Sequence, residues 1–421
     1  MLAGAFLAGA VTGVVVRTGL PGGADVPGPG VAAVTRTDPA PTAERPGPSG
    51  VLAGGSTDPT TTLAVPSGDG ASRRVPTCTP APLATRAAAV LVVGLPDVTD
   101  ASEPLAQAVT ALGVGGVFLS DGNVESARQV TELVAGLRAA APHLVVATDE
   151  ESGRVANFRS LVGDGPSPRR MVERMTPDEV RRAAAETGGV LADLGVTVDL
   201  APVLDLDGGP WDGVIGDRSF SAEPAVAAEY GLAFAAGLQD AGVAPTVKHF
   251  PGHGRSTDDS HVTSALVPAD LADLRATDLV PFQHAVDAGA PVVMLNHLRY
   301  DALDPDLPAS LSPQAYALLR DMGFDGVAMT DSVGMGAVNL TWDFPEAAVL
   351  AVAAGADAVL ATDGNQATRM RDALVTAVES GALPEARLSE AAARVTALGG
   401  GDPWAMSCLE VSLPSLSVPA G

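Results

Sequence analysis

Eight short runs of apolar, largely β-branched residues divide the chain from residue 87 onward, and they constrain its fold more than any other feature. They are AAAVLVVGLP (87–96), VGGVFLS (114–120), HLVVATDE (143–150), VTVDLAPVLDL (196–206), VAPTVKHFPG (243–252), PVVMLNH (291–297), GVAMTDSV (326–333) and ADAVLATDG (356–364). Near-continuous hydrophobicity is what a strand covered on both faces needs, so the runs predict a parallel sheet. Helical segments separate them. Thr176, Pro177 and Glu179 form a capping box with proline at the first helical position, and Ser312 with Pro313 repeats the signal. Glycine recurs where a helix should hand over to the next strand, at Gly113, Gly195, Gly242, Gly289, Gly323 and Gly355. Eight β-α units over about 310 residues predict an α/β fold, a (β/α)8 TIM barrel spanning 85–400, with an open doubly wound sheet as the alternative.

The flanks read differently. Residues 2–16 (LAGAFLAGAVTGVVV) are an uncharged apolar run followed by Arg17, too short for a spanning helix but long enough for the apolar part of a signal peptide. Residues 1–17 are therefore expected to export or anchor the protein, placing it outside the cell or at the envelope. Residues 18–84 are rich in Pro, Gly, Thr, Ser and Ala, which cannot bury enough surface to fold, and read as a disordered tether. Residues 401–421 form a C-terminal tail. Two cysteines rule out a disulfide scaffold and permit an oxidising compartment without requiring one.

Lys+Arg number 25 against Asp+Glu 50, a formal net charge of −25. Such a surface repels phosphate backbones, no local basic patch offsets it, and aromatics at 4% leave no base-stacking platform, so nucleic acid is not an expected partner. A membrane enters only through the N-terminal segment. A monomer is expected.

In a barrel, chemistry sits at the carboxyl ends of strands. Five runs end there in polar groups: Asp149, Glu150 and Glu151 followed by Arg154; Asp205 and Asp207, with Arg218 in the loop; Lys248 and His249; Asn296 and His297; and Asp331. Lys248 is the chain's single lysine. The stretch KHFPGHGRSTDDSH (248–261) holds three of the six histidines. His249, His253, Asp259 and His261 could ligate a metal, but the spacing fits no short zinc signature, and Lys248 would set a cation beside it. Asp259 and His261 are one residue apart, so in an extended segment the carboxylate can orient the imidazole and raise its proton affinity; a surface turn is the plainer reading. Asp331, directly after a buried strand, suits a nucleophile, a metal ligand or a helix cap. An anionic nucleophile facing a separate proton carrier is what retaining glycosyl transfer requires, and Asp149, Arg154, Arg218, Lys248 and His249 would supply the polar contacts of a sugar cleft.

Residues 87–398 resemble glycoside hydrolase family 3, and within it the single-domain β-N-acetylhexosaminidases of the NagZ type. KHFPGHGRSTDDSH is similar to the family's KHFPGHGDTxxDSH; ATDEESGRV (147–155), APVLDL (201–206), VIGDRSF (214–220) and MTDSVGMGAV (329–338) stand beside DQEGGRV, APVLDL, IGxRSF and SDDLxMxA. The resemblance implies a TIM barrel without cofactor or metal. It implies Asp331 as the nucleophile, His261 as acid/base with Asp259 its partner, and Asp149, Arg154, Arg218, Lys248 and His249 as holders of an N-acetylglucosamine unit. The implied substrate is an N-acetylglucosamine-containing oligosaccharide or muropeptide of the cell wall, cleaved at its nonreducing end. Glu150, Ser152, Arg255 and Ser332 depart from the pattern. A phosphorylase or β-glucosidase of the same fold, a metal-dependent hydrolase, or a non-catalytic glycan-binding protein of the envelope are the alternatives.

Overall fold

The computed structural model describes residues 78–256, 259 and 263–418. The apolar run, the tether up to residue 77, His261 and residues 419–421 lie outside them. Each of the eight runs contains one strand: β1 Leu91–Gly94, β2 Gly116–Phe118, β3 Val145–Thr148, β4 Val198–Asp199, β5 Ala244–Phe250, β6 Val292–Leu295, β7 Val327–Thr330 and β8 Val359–Ala361. Neighbours pair in parallel and in chain order from β1 to β7. β8 returns to β1 with Leu91 opposite Val359, and a parallel bridge between Met329 and Ala358 joins it to β7. The sheet is a (β/α)8 barrel, not an open one.

The helices begin and end where the local signals put them. Thr176 and Glu179 make the reciprocal capping box at the helix Pro177–Asp193, and Ser312 caps the helix Pro313–Asp321 through the Ala315 N–H. The six junction glycines all have φ between +80° and +136°, a region where a β-carbon is strained.

Alternate strand residues fill the barrel. Val92, Val145, Val198, Val292 and Val327 form an inner column topped by Leu200, Met294 and Leu360. The other face of each strand packs on the helices in the main core. At the amino end of β8, fully buried Asp357 is gripped by Arg320 at 2.6 Å, by Arg387 and by Arg394 at 3.4 Å.

Two boundaries differ from the sequence reading. The sequence extends the tether to residue 84, whereas residues 78–84 belong to the folded unit. A helix starts at Leu83, the Ala81 N–H donates to the Met406 carbonyl, and Cys78 is joined to Cys408 by a disulfide. The tail, too, is packed. Leu413 sits against the inner column, the Ser417 N–H donates to Ala288, and Gln239 and Arg181 donate to the carbonyls of Leu416 and Val418. Contacts with residues far away in the chain order both segments.

Candidate active site

The chain's insertions gather at the carboxyl ends of the strands, around a cavity of about 420 Å³. Leu200, Met294 and Leu360 line it from the top of the inner column. Asp149, Arg154, Arg218, Lys248, His249, Asp259 and Asp331 also line it, so seven of the eight expected site residues meet in one hollow. The eighth, His261, lies outside the described residues.

β3 ends in three consecutive carboxylates, and the extended backbone sends them to two sides. Asp149 and Glu151 face the cavity. Glu150 turns away, its N–H donating to Asp199 Oδ1 at 2.9 Å and its carboxylate accepting from the Phe158 N–H at 2.7 Å. Ser152, where the resembled family has glycine, adopts φ +68°, and its hydroxyl donates to the Pro166 carbonyl at 2.8 Å. That bond offsets part of the roughly 1 kcal/mol that a side chain costs in this region.

Lys248 reaches from β5 across β4 and lies between Asp149 and Glu151, 2.6 Å from the latter. Arg218 grips both oxygens of Glu151 at 2.7 Å. Burial works against charge on Glu151, but Arg218 and Lys248 hold its carboxyl well below the usual range. Burial likewise opposes the Lys248 cation, and Asp149 and Glu151 keep it charged, well above the ordinary lysine value.

Asp205, fully buried, organises the next layer. It accepts from His249 Nδ1 at 2.6 Å and from the His253 N–H at 2.6 Å. Arg218 Nη2 stands 3.4 Å from His249 Nε2, so the ring is held between Arg218 on one nitrogen and Asp205 on the other. Burial pushes the His253 imidazole down to about 4, so it is neutral at physiological pH. Asn296 and Tyr300 brace the loop after β5 by bonding the carbonyls of His249 and Gly252. A β-carbon on Gly254 would stand 1.8 Å from the Leu206 carbonyl oxygen, so only glycine lets that loop lie so close to the loop after β4.

Asp331 begins the loop after β7. Burial opposes its ionisation, but His297, His249, the Ser332 N–H at 2.7 Å and Lys248 together hold its carboxyl below the usual carboxylate range. Ser332, another departure, bonds Thr362 through its hydroxyl and places no second negative charge beside Asp331. His297 Nε2 meets the Ser332 carbonyl at 2.8 Å, and its Nδ1 meets Ser310 Oγ at 2.6 Å.

Arg154 serves chiefly as a wall tie. It donates to the carbonyls of Gly213, Val214 and Ile215 and pairs with Asp217 at 3.3 Å. Arg255, the third departure, locks onto Asp273, Thr277 and Asp278 at 2.7–2.8 Å. The sequence marks Glu151, Asp205 and His297 only as polar groups at strand ends and His253 only as a possible metal ligand, and assigns none of the four to catalysis or to holding the sugar. All four stand at or just past strand ends, and that position was the signal available. Among the described residues no three His, Cys, Asp or Glu side chains gather into a metal-holding group.

The cavity thus offers an ionised carboxylate together with a fixed array of donors and acceptors, which suits nucleophilic attack by the carboxylate on a polyhydroxylated ligand. Residues 87–398 match the glycosyl hydrolase family 3 N-terminal domain. The β-hexosaminidase LpqI of Mycobacterium tuberculosis (strain ATCC 25618 / H37Rv) is 38% identical over 368 residues, covering 85% of this chain and 92% of the relative. A solved family 3 glycosyl hydrolase from Mycobacterium smegmatis superposes with a TM-score of 0.71 at 39% identity, over 76% of this chain and 97% of that one. A family 3 β-N-acetylglucosaminidase from Paenibacillus sp. gives 0.72 at 33% identity, over 80% and 65%.

Proposed function

This chain belongs to glycosyl hydrolase family 3, and we propose that it is a retaining exo-β-N-acetylglucosaminidase acting on cell-wall fragments. That it is a glycoside hydrolase follows from the family. The N-acetylglucosaminide specificity is supported by relatives named as β-hexosaminidases and β-N-acetylglucosaminidases.

The observation that carries the mechanism is an ionised Asp331 in a cavity of single-sugar size, with the Asp149–Lys248–Glu151–Arg218 array in the same hollow. In the first step an Asp331 oxygen attacks the anomeric carbon, the glycosidic C–O bond breaks, and the leaving oxygen takes a proton from His261. In the second, His261 removes a proton from water, the water oxygen bonds the anomeric carbon, and Asp331 departs. Asp259 orients His261 and stabilises its cation. Asp149, Lys248, Arg218 and His249 hold the sugar's hydroxyls, and Arg154 maintains the wall that limits the cavity to one terminal unit. None of these roles calls on a metal or cofactor.

Export is supported by the apolar run at 2–16 and by the Cys78–Cys408 disulfide, a bond that persists in oxidising compartments. We take the protein as a monomer, with the membrane contacted only through residues 1–17.

The test is hydrolysis of an aryl β-N-acetylglucosaminide, with the first-formed sugar followed by NMR. The β-anomer is expected first. Asp331→Ala and His261→Ala are each expected to lower turnover by about a thousandfold or more, roughly 4 kcal/mol of barrier. Initial release of the α-anomer, or near-normal turnover of Asp331→Ala, would defeat the mechanism.

A further inference from the structure

Asp199 interrupts the apolar strand β4 without lining the cavity. It stands between Val198 and Leu200 and is fully buried. Those two neighbours belong to the inner column, so the alternation of the strand turns Asp199 to the outer face of the sheet. Burial of an acid there is costly. It pushes the Asp199 carboxyl well above its ordinary range, by more than the Glu150 N–H and Lys248 draw it down. Its Oδ2 has no hydrogen-bond partner among the described residues.

The other oxygen, Oδ1, accepts from the Glu150 N–H at 2.9 Å. The ladder between β3 and β4 pairs Ala147 with Val198 and Thr148 with Asp199, and at its end the Leu200 N–H donates to the Thr148 carbonyl at 2.8 Å. Past that point the chain of β3 bends into a two-stranded hairpin of Glu150–Ser152 with Val155–Ala156. The Asp199 side chain supplies the next acceptor, bonding β4 to the first residue of the hairpin. Other bonds of this turn run from the Asn157 N–H to the Asp149 carbonyl at 3.1 Å and from the Phe158 N–H to the Glu150 carboxylate at 2.7 Å, and these close the hairpin on its own residues. The Asp199 bond fixes it to the barrel wall.

Glu150 lies between Asp149 and Glu151 in the chain, so its backbone carries both of the acids that bracket Lys248. A shift of the Glu150 N–H therefore moves both together, and a misplacement of about 1 Å in a functional group can cost about a hundredfold. We propose that Asp199 is a positioning residue for the sugar-holding array, fixing Asp149 and Glu151 around Lys248 through the Glu150 N–H. The part needs an acceptor oxygen and not a negative charge, since a protonated carboxyl still accepts through Oδ1. The proposal rests on the reading of the Asp149–Lys248–Glu151–Arg218 array as a sugar site. Those contacts are made before and during bond breaking alike, so loss of their register weakens binding and leaves turnover of bound substrate in place.

The experiment measures KM and kcat for an aryl β-N-acetylglucosaminide and, by calorimetry, the Kd of free N-acetylglucosamine. Asp199→Asn keeps an oxygen at the Oδ1 position. Asp199→Leu fills a similar space with no acceptor, and Asp199→Ser is one atom too short, which keeps the test open where leucine disturbs packing. KM and Kd are expected within twofold of wild type in Asp199→Asn and raised about tenfold in Asp199→Leu and Asp199→Ser, with kcat within threefold throughout. A role in folding alone would lower the active fraction, and with it the apparent kcat, at unchanged KM. That result, unchanged KM and Kd in Asp199→Leu and Asp199→Ser, or a tenfold loss in Asp199→Asn, overturns the positioning role and leaves the sugar site standing. Wild type that neither hydrolyses the glycoside nor binds the sugar overturns the reading of the array, and the role of Asp199 with it.

Discussion

Replacing Glu150 by glutamine should stabilise this protein, and the gain should depend on pH. Glu150 is 2% exposed, and burial is the largest influence on its carboxyl, outweighing the Phe158 N–H and Arg159; Asp149 and Glu151 add to the same effect, and the group is raised to about 7 from an ordinary 4.5. A folded-state value above the unfolded one means that folding takes up a proton between those two values. Below about pH 4.5 the carboxyl is protonated in both states and nothing is lost. From there stability falls by about 1.4 kcal/mol per pH unit until about pH 7, above which the loss is constant at about 3 kcal/mol. Glutamine keeps the oxygen that accepts from Phe158 and never ionises. The difference between Glu150→Gln and wild type should thus be about 3 kcal/mol at pH 8 and about 0.7 kcal/mol at pH 5. At about 2 °C per kcal/mol for a chain of this size, that is a Tm rise of about 6 °C at pH 8 and 1–2 °C at pH 5. Asp199 is raised by its own burial and further by the Glu150 charge, so removing that charge lets it fall back toward the usual range and adds to the gain. Melting curves of both proteins at the two pH values decide the matter. An equal gain at both, or a loss at pH 8, refutes the account, because either means that the carboxylate is not the disfavoured form.

Two further outcomes follow from the ends of the barrel strands and of the chain. Asp357→Ala leaves three partly buried guanidiniums without their shared carboxylate; denaturant unfolding should show a loss of about 3–5 kcal/mol, with kcat/KM of the folded protein unchanged because the cavity is at the other end of the strands. The Cys78–Cys408 bond closes a loop of 330 residues; Cys78→Ser with Cys408→Ser, or treatment with a reductant, should lower stability by about 3–5 kcal/mol, and an unchanged Tm in reductant would show that the ends hold by packing alone.

The barrel was readable because its determinants are local. A strand buried on both faces must be apolar at every position, and a helix that turns back into a strand must pass through a left-handed residue, which glycine tolerates. Lys248, His249 and Asp331 were readable for a related reason, since each interrupts an apolar run at the end where barrels place their chemistry. The carboxylates of ATDEESG were harder to assign. Three adjacent acids look alike in a sequence; the pleat alone turned Glu151 toward Lys248 and Arg218 and Glu150 into the protein's interior. Asp205 stood at a strand end like the others, and nothing nearby in the chain announced the two histidines it holds.

From the sequence alone came the number of β-α units, their parallel arrangement and the rim at which polar groups would collect, because periodicity and chain stiffness act over a few residues. Closure of the barrel decided the rest. It brought β3, β4 and β5 side by side so that a single lysine could lie between two acids, carried Leu413 to the floor of the inner column, and joined Cys78 to Cys408. Charge pairing, burial and disulfide formation depend on distance through space, and that distance does not exist until the chain has folded.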